Sequence, residues 1–159
     1  MNNTSSGAWA AVRIIACNTC GTLDKNFTIK THSEAVDVAK CTHLFCHDGT
    51  MKAIPPLLLP TVTLLNKSGL AVTDSYISIC NPLHIGIVIK FKDVYGNQFK
   101  TLPKGFEFDL DPSPSHFADT PIELKKQIDE RGKSDCEIRE EIQSSVHDLY
   151  AWAKLCCRG

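Results

Sequence analysis

Apolar positions along this chain change period from one stretch to the next, and each change predicts an element. Ala8 to Ala16 (AWAAVRIIA) is a nearly unbroken apolar run that reads as a buried strand, and Asn18 to Gly21 supplies turn residues after it. Phe27-Thr-Ile-Lys30 alternates like a second strand, so the two form a hairpin candidate. Thr31-His-Ser-Glu34 matches a capping box, in which the Thr hydroxyl caps the third helical N–H and Glu34 reaches back to the cap residue. Ala35, Val38, Ala39, Thr42 and Phe45 then recur at helical spacing, which predicts a helix running to His47 with Gly49 near its end.

The middle third is β-like. Thr61 to Leu65, Tyr76 to Cys80 and Ile85 to Phe91 are rich in β-branched and aromatic residues, with Asn, Gly, Asp and Pro between them. Val94 to Gln98 reads as a hairpin turn into Phe99 to Leu102, and Phe106-Glu-Phe-Asp-Leu110 alternates. The rest of the chain returns to helical period: Thr120-Pro121-Ile-Glu123 predicts one helix start and Ser134-Asp-Cys-Glu137 another. On the second, Ile138, Ile142, Val146, Leu149, Tyr150 and Ala153 share a face. The expectation is a single α+β domain over 8–159, mostly antiparallel β-sheet in a meander of about five to six strands, with one helix after the first hairpin and two C-terminal helices. Within it 8–110 is β-rich, 111–119 is a linker and 120–157 is helical, and 1–7 is a flexible leader.

At 159 residues the chain suits one core rather than two. Apolar residues at 43% and charged residues at 22% are near globular averages, so wholesale disorder and fibrous architectures are excluded. A net charge of -1 supplies no global basic field for nucleic acid. Lys125, Lys126, Arg131, Lys133 and Arg139 interleave with acids, which predicts a solvated helix surface rather than a basic patch. Met1 to Gly7 lacks the basic start and apolar run of a signal peptide, so the 8 cysteines are read as reduced and the protein as intracellular, not secreted. The longest apolar stretch, Ile54 to Leu65, is broken by Pro55, Pro56 and Pro60, and no transmembrane segment is expected.

The cysteines carry the candidate chemistry. Cys17-Asn-Thr-Cys20-Gly21 and Cys41-Thr-His43-Leu-Phe-Cys46-His47 together resemble the first half of a cross-braced zinc motif of the RING type, whose second half does not follow. Zinc needs thiolates or imidazoles at about 2.0–2.3 Å in a tetrahedron, and a helix from Thr31 to His47 would put Cys41 and His43 on opposite sides. We therefore take the thiols as core with no metal ligand and no cofactor, and keep zinc on a combination of Cys17, Cys20, His43, Cys46 and His47 as the alternative. No phosphate loop, nucleophile elbow or metalloprotease motif is present, and no Cys and His sit in a recognisable catalytic pairing, so the chain reads as non-enzymatic, with no catalytic residues. Cys156-Cys157-Arg158-Gly159 resembles a paired-cysteine lipidation tail, but Arg158 stands where prenylation wants an aliphatic residue.

The order of elements from Trp9 to Leu65, carried by Phe27-Thr-Ile-Lys-Thr31-His-Ser33-Glu34-Ala-Val-Asp-Val-Ala39, resembles the start of the globular domain of rhabdovirus matrix proteins, plant-infecting type. Thr50 to Leu65 and His84 to Leu110 are similar to that family's later apolar segment and strands, while a lysine-rich leader and a Pro-Pro-x-Tyr motif are missing. The resemblance implies a viral structural protein of the virion that self-associates as a homo-oligomer, condenses the viral ribonucleoprotein, and links it to a membrane surface, with the viral nucleoprotein or ribonucleoprotein as its partner. Leu58, in the Pro-flanked Leu57-Leu58-Leu59, and Trp152 are then contact candidates, with Cys156 and Cys157 as lipid candidates. The competing function is a small zinc-binding regulatory protein, a silencing suppressor or a degenerate RING-like adaptor.

Overall fold

A computed structural model describes residues 8–23, 29–30, 39–46, 49–80, 84–92, 99, 101–109 and 122–156. Two antiparallel four-stranded sheets and three α-helices make an α+β fold. The first sheet holds β1 (Arg13–Cys17), β2 (Ile29–Lys30), β3 (Ala39–Lys40) and β4 (Thr50–Ile54) in the order β2-β1-β4-β3. The second holds β5 (Val72–Cys80), β6 (His84–Phe91), β7 (Glu107–Asp109) and β8 (Ile122–Asp129) in the order β5-β6-β8-β7. The helices are α1 (Ala8–Ala11), α2 (Leu59–Lys67) and α3 (Asp135–Cys156).

Most of the core lies between the second sheet and α2 and α3. Ile85, Ile87, Ile89 and Phe91 alternate along β6 and bury one face, and Leu124 stands opposite Ile89 on β8. Against that face pack Leu58, Val62 and Leu65 from the α2 region and Ile138, Ile142, Leu149 and Trp152 from α3. Phe99 is the hub of a cluster of tilted rings, with Phe91, Phe108 and Trp152 at centroid distances of 5.7, 5.4 and 5.3 Å. α3 starts as the capping box at Ser134 requires: Ser134 Oγ accepts the Glu137 N–H at 3.2 Å and Glu137 Oε1 accepts the Ser134 N–H at 3.2 Å. Its buried face, Ile138, Ile142, Leu149 and Ala153, is the stripe read from spacing.

The two sheets are tied in two places. Buried Arg13 at the start of β1 reaches Asp74 on β5 at 3.5 Å. Asn66 on α2 donates through Nδ2 to the Asn18 carbonyl at 2.9 Å and accepts the Val72 N–H at 3.1 Å. Among the described residues no helix is long and apolar enough to cross a membrane.

Several expectations are corrected. Ala8–Ala11 is one helical turn before β1, not part of a strand. Thr61 to Leu65 lies in α2, whose first turn contains Pro60, a position where proline costs no hydrogen bond. The helix after the first hairpin is thus α2 rather than one reaching His47: Ala39–Lys40 is strand and 41–46 is loop and turn, while 31–38, His47, the leader 1–7 and the linker 111–119 lie outside the described residues. Ile122–Asp129 is β8, so one C-terminal helix stands where two were expected. Glu123 is not a capping glutamate but a cross-strand partner of Lys90 at 3.3 Å. Phe99 and 101–102 form no strand.

Leu58 is fully buried and Trp152 is 4% exposed, so both are core rather than contact surface. The Trp152 indole N–H donates to the Thr101 carbonyl at 2.8 Å, which satisfies its one polar atom inside the protein. Tyr150 is half-buried, with the Lys154 ammonium 5.4 Å from its ring centroid. Cys156 is half-buried against the core, and Cys157 lies outside the described residues. Trp152→Ala should lower the unfolding free energy by about 3–5 kcal/mol and Trp152→Phe by about 1–2 kcal/mol, read by urea denaturation. Equal losses for the two variants would show that the hydrogen bond, not the ring, is what the site needs.

Candidate metal centre

Cys17 ends β1, and its sheet neighbour across β4 is Met51, which also pairs with Ala39 of β3. Residues two apart on a strand share a face, so Cys41, two beyond Ala39, projects to the same side as Cys17. The Cys41 N–H donates to the Gly49 carbonyl at 2.9 Å, which carries the pairing one step past β3 and sets Gly49 between the two cysteines. The chain then turns twice to bring in two more sulfurs. After Cys17 a tight turn, closed by Gly21 N–H to the Cys17 carbonyl at 3.1 Å, delivers Cys20, and Gly21 takes φ 79° at its end. After Cys41 the chain runs out through His43, Leu44 and Phe45 and returns with the Cys46 N–H on the His43 carbonyl at 3.1 Å.

The four Sγ atoms of Cys17, Cys20, Cys41 and Cys46 all lie within 4.8 Å of one another. Cys17 and Cys46 are 3.7 Å apart, and Cys20 and Cys41 are 3.6 Å apart. A tetrahedron with Zn–S distances of about 2.3 Å has S–S edges of about 3.8 Å, so the set is close to the size that zinc or a similar thiophilic cation needs. Backbone N–H groups already aim at the sulfurs. Thr19 and Cys20 donate to Cys17 Sγ at 3.3 and 3.4 Å, and His43 donates to Cys41 Sγ at 3.4 Å. Such bonds stabilise thiolates and fix their direction, as outer partners do around metal ligands.

Space at the centre is fitted to sulfur. A Cβ added at Gly49 would stand 2.2 Å from Cys17 Sγ and 2.6 Å from Cys46 Sγ, so only glycine lets the loops close. Asn18 anchors the turn: its N–H donates to the Thr50 carbonyl at 2.9 Å and its Oδ1 accepts the Thr50 N–H at 3.0 Å.

The electrostatics ask for a cation. Burial works to raise the Cys20 thiol, but hydrogen bonds with Thr22 and with the Cys17 and Cys41 thiols outweigh it and bring the group down to about 6. The His43 N–H favours a thiolate at Cys41, yet burial and the Cys20 and Cys17 thiols push it up to about 12. Cys46 is raised by burial and by the same two neighbours. A first thiolate on Cys20 therefore opposes ionisation of Cys41 and Cys46, and a divalent cation reverses that opposition by attracting every sulfur.

The structure brings together Cys17, Cys20 and Cys46 of the sequence-derived candidates and leaves out His43, which is exposed; His47 lies outside the described residues. The missed ligand is Cys41, rejected on the expectation of a helix. The signal that could have found it is the Cys-x4-Cys spacing of Cys41 and Cys46 taken without the histidines. Both cysteine pairs also converge on one site, whereas a cross-brace would send them to two. Comparison with protein-family models, with curated proteins and with solved structures finds no match to this chain.

Gly49→Ala should abolish tight metal retention, read as metal per chain after gel filtration, while the chain still unfolds cooperatively in urea through the core of the second sheet. In metal-free protein at pH 7, iodoacetamide should alkylate Cys20 before Cys41 and Cys46, because only the thiolate reacts and Cys20 is already ionised. Peptide mapping at short times checks the order.

Proposed function

We propose that this protein is a small, non-enzymatic zinc-binding regulatory protein, in which one zinc held by Cys17, Cys20, Cys41 and Cys46 organises the first sheet and its loops for interaction with a partner. The observation that carries this reading is the convergence of four thiols within 4.8 Å around a glycine that leaves them room. Four protein ligands complete a tetrahedron and leave no position for water or substrate, which is the arrangement of a structural rather than a catalytic zinc. The metal has structural work to do here. Sheet one is flanked by two-residue strands, and among its residues whose burial is described only Ile54 belongs to the main core.

The same centre displays side chains. Leu44 and Phe45 are 80% and 82% exposed on the excursion between Cys41 and Cys46, and the His43 ring stands edge-on to Phe45 at 5.9 Å. A loop pinned at both ends by metal can hold apolar residues in water at little further entropic cost, which suits recognition. The matrix-like reading drew its contact surface from Leu58 and Trp152, both now in the core, so the thiol centre gives the better-supported function.

Protein purified under reducing conditions without chelator should carry about one zinc per chain by elemental mass spectrometry, and Cys17→Ser with Cys20→Ser should remove it. Cys136→Ser, an exposed cysteine outside the centre, should leave it in place. A cooperatively folded chain that takes up no zinc rejects the proposal.

A further inference from the structure

Within the cluster, whose sulfurs all lie within 4.8 Å of one another, two thiol pairs are in hydrogen-bond contact: Cys17 with Cys46 at 3.7 Å, and Cys20 with Cys41 at 3.6 Å. We infer that the centre is also a peroxide-sensitive modification site, in which hydroperoxide converts the four zinc thiolates into the disulfides Cys17–Cys46 and Cys20–Cys41 and expels the metal. This rests on the zinc reading for the metal release, but the pairing of the thiols stands on its own geometry.

Access and order follow from burial. Cys17 is fully buried, whereas Cys20, Cys41 and Cys46 are half-exposed, so a small oxidant meets the second group first. The Cys46 sulfur attacks a peroxide oxygen, the O–O bond breaks, and Cys46 becomes a sulfenic acid while the other oxygen leaves as water after taking a proton. Cys17, held in contact, attacks the Cys46 sulfur; the S–S bond forms, the S–O bond breaks, and a second water leaves. Cys20 and Cys41 react in the same way with a second peroxide. In sum four thiolates, two peroxides and four protons give two disulfides and four waters. Zinc keeps its oxidation state throughout and departs because no thiolate remains to hold it.

Both disulfides are within mechanical reach. A bond of about 2.05 Å requires each pair to close by about 1.6 Å, a distance that side-chain rotation and small loop shifts supply. Each disulfide joins the turn after β1 to the loop after β3, so the oxidised form keeps these loops together while losing the tetrahedral arrangement that displays Leu44 and Phe45. Cys136 serves as an internal contrast. Its thiol is exposed and faces the Glu140 carboxylate at 3.7 Å, with no thiol contact among the described residues, so oxidation there proceeds up the acid ladder.

The test uses the full chain, zinc-loaded and titrated with hydrogen peroxide, with metal release followed by a chromogenic chelator and cysteine states by fragmentation mass spectrometry of cross-linked peptides. The expected result is one zinc released for about two peroxides consumed at the centre, Cys17–Cys46 and Cys20–Cys41 linkages, and recovery of zinc binding after dithiothreitol and added zinc. Zinc retained at peroxide levels that oxidise Cys136 overturns the inference, as do sulfinic acids at the centre or a Cys17–Cys20 with Cys41–Cys46 pattern. A chain that never binds zinc defeats the metal reading alone. In that chain the two stated linkages would still establish the modification site, and their absence would reject it.

Discussion

Four sulfur atoms share a space that one added methyl group at Gly49 would fill, and the first half of the fold is arranged around that constraint. Register supplies two of the sulfurs, because Cys17 and Cys41 lie on one face of the first sheet; two tight turns supply the others. None of these four segments has an apolar cluster of its own large enough to fix its position. Convergence of the thiols therefore ties the turn at 17–21 to residues 41–46 and Gly49. It also explains why the loop at His43–Phe45 faces outward: the interior volume is taken by sulfur, and large side chains have nowhere to go but water.

The second sheet is stabilised differently. Its strands are eight or nine residues long in β5, β6 and β8, and it buries aliphatic side chains against two helices. Hydrophobic burial at about 25 cal/mol per Å² is sufficient to order such a unit without help from a metal. One chain thus combines a conventional core with a sheet too small to have one. Small folds commonly meet that shortage with a metal or disulfides, and the thiol centre is chemically able to supply either.

Legibility in the sequence followed the locality of the interactions. The box at Ser134 was readable because all its bonds lie within one turn, and most of β5 and β6 because Tyr76 to Cys80 and Ile85 to Phe91 are runs of β-branched and aromatic residues bounded by turn residues. β8 was misread: Thr120-Pro121-Ile-Glu123 has helix-start chemistry, but Ile122–Asp129 pairs with β6 inside the second sheet and buries Ile122, Leu124 and Ile128, and tertiary burial prevails over a local cap. α2 was missed because Thr61, Val62 and Thr63 favour strands while the packing of Val62 and Leu65 needs a helix. The error over Cys41 came from the same source. A capping box at Thr31 was extended to His47, yet by Ala39 the chain is already paired with Met51. The Cys-x-x-Cys-Gly turn was legible as half a site; its partner depended on a long-range strand pairing that no local pattern records.

The two halves are not independent, and the link between them is polar. Asn18 sits in the turn that carries Cys20 and bonds to both sides of Thr50, while its carbonyl receives the Asn66 amide, whose oxygen in turn holds Val72 at the start of β5. Arg13 and Asp74 make a second bridge at the other end of β1. A buried amide that loses such a partner costs about 1–3 kcal/mol, so a rearrangement at the thiols cannot stay entirely local. At their far end these links meet the long strands of the second sheet, where Val72 and Asp74 pair with Phe91 and Lys90 of β6. Changes in the sulfur centre should accordingly propagate to the start of β5 and fade there, leaving a rigid half on which a chemically responsive half is mounted.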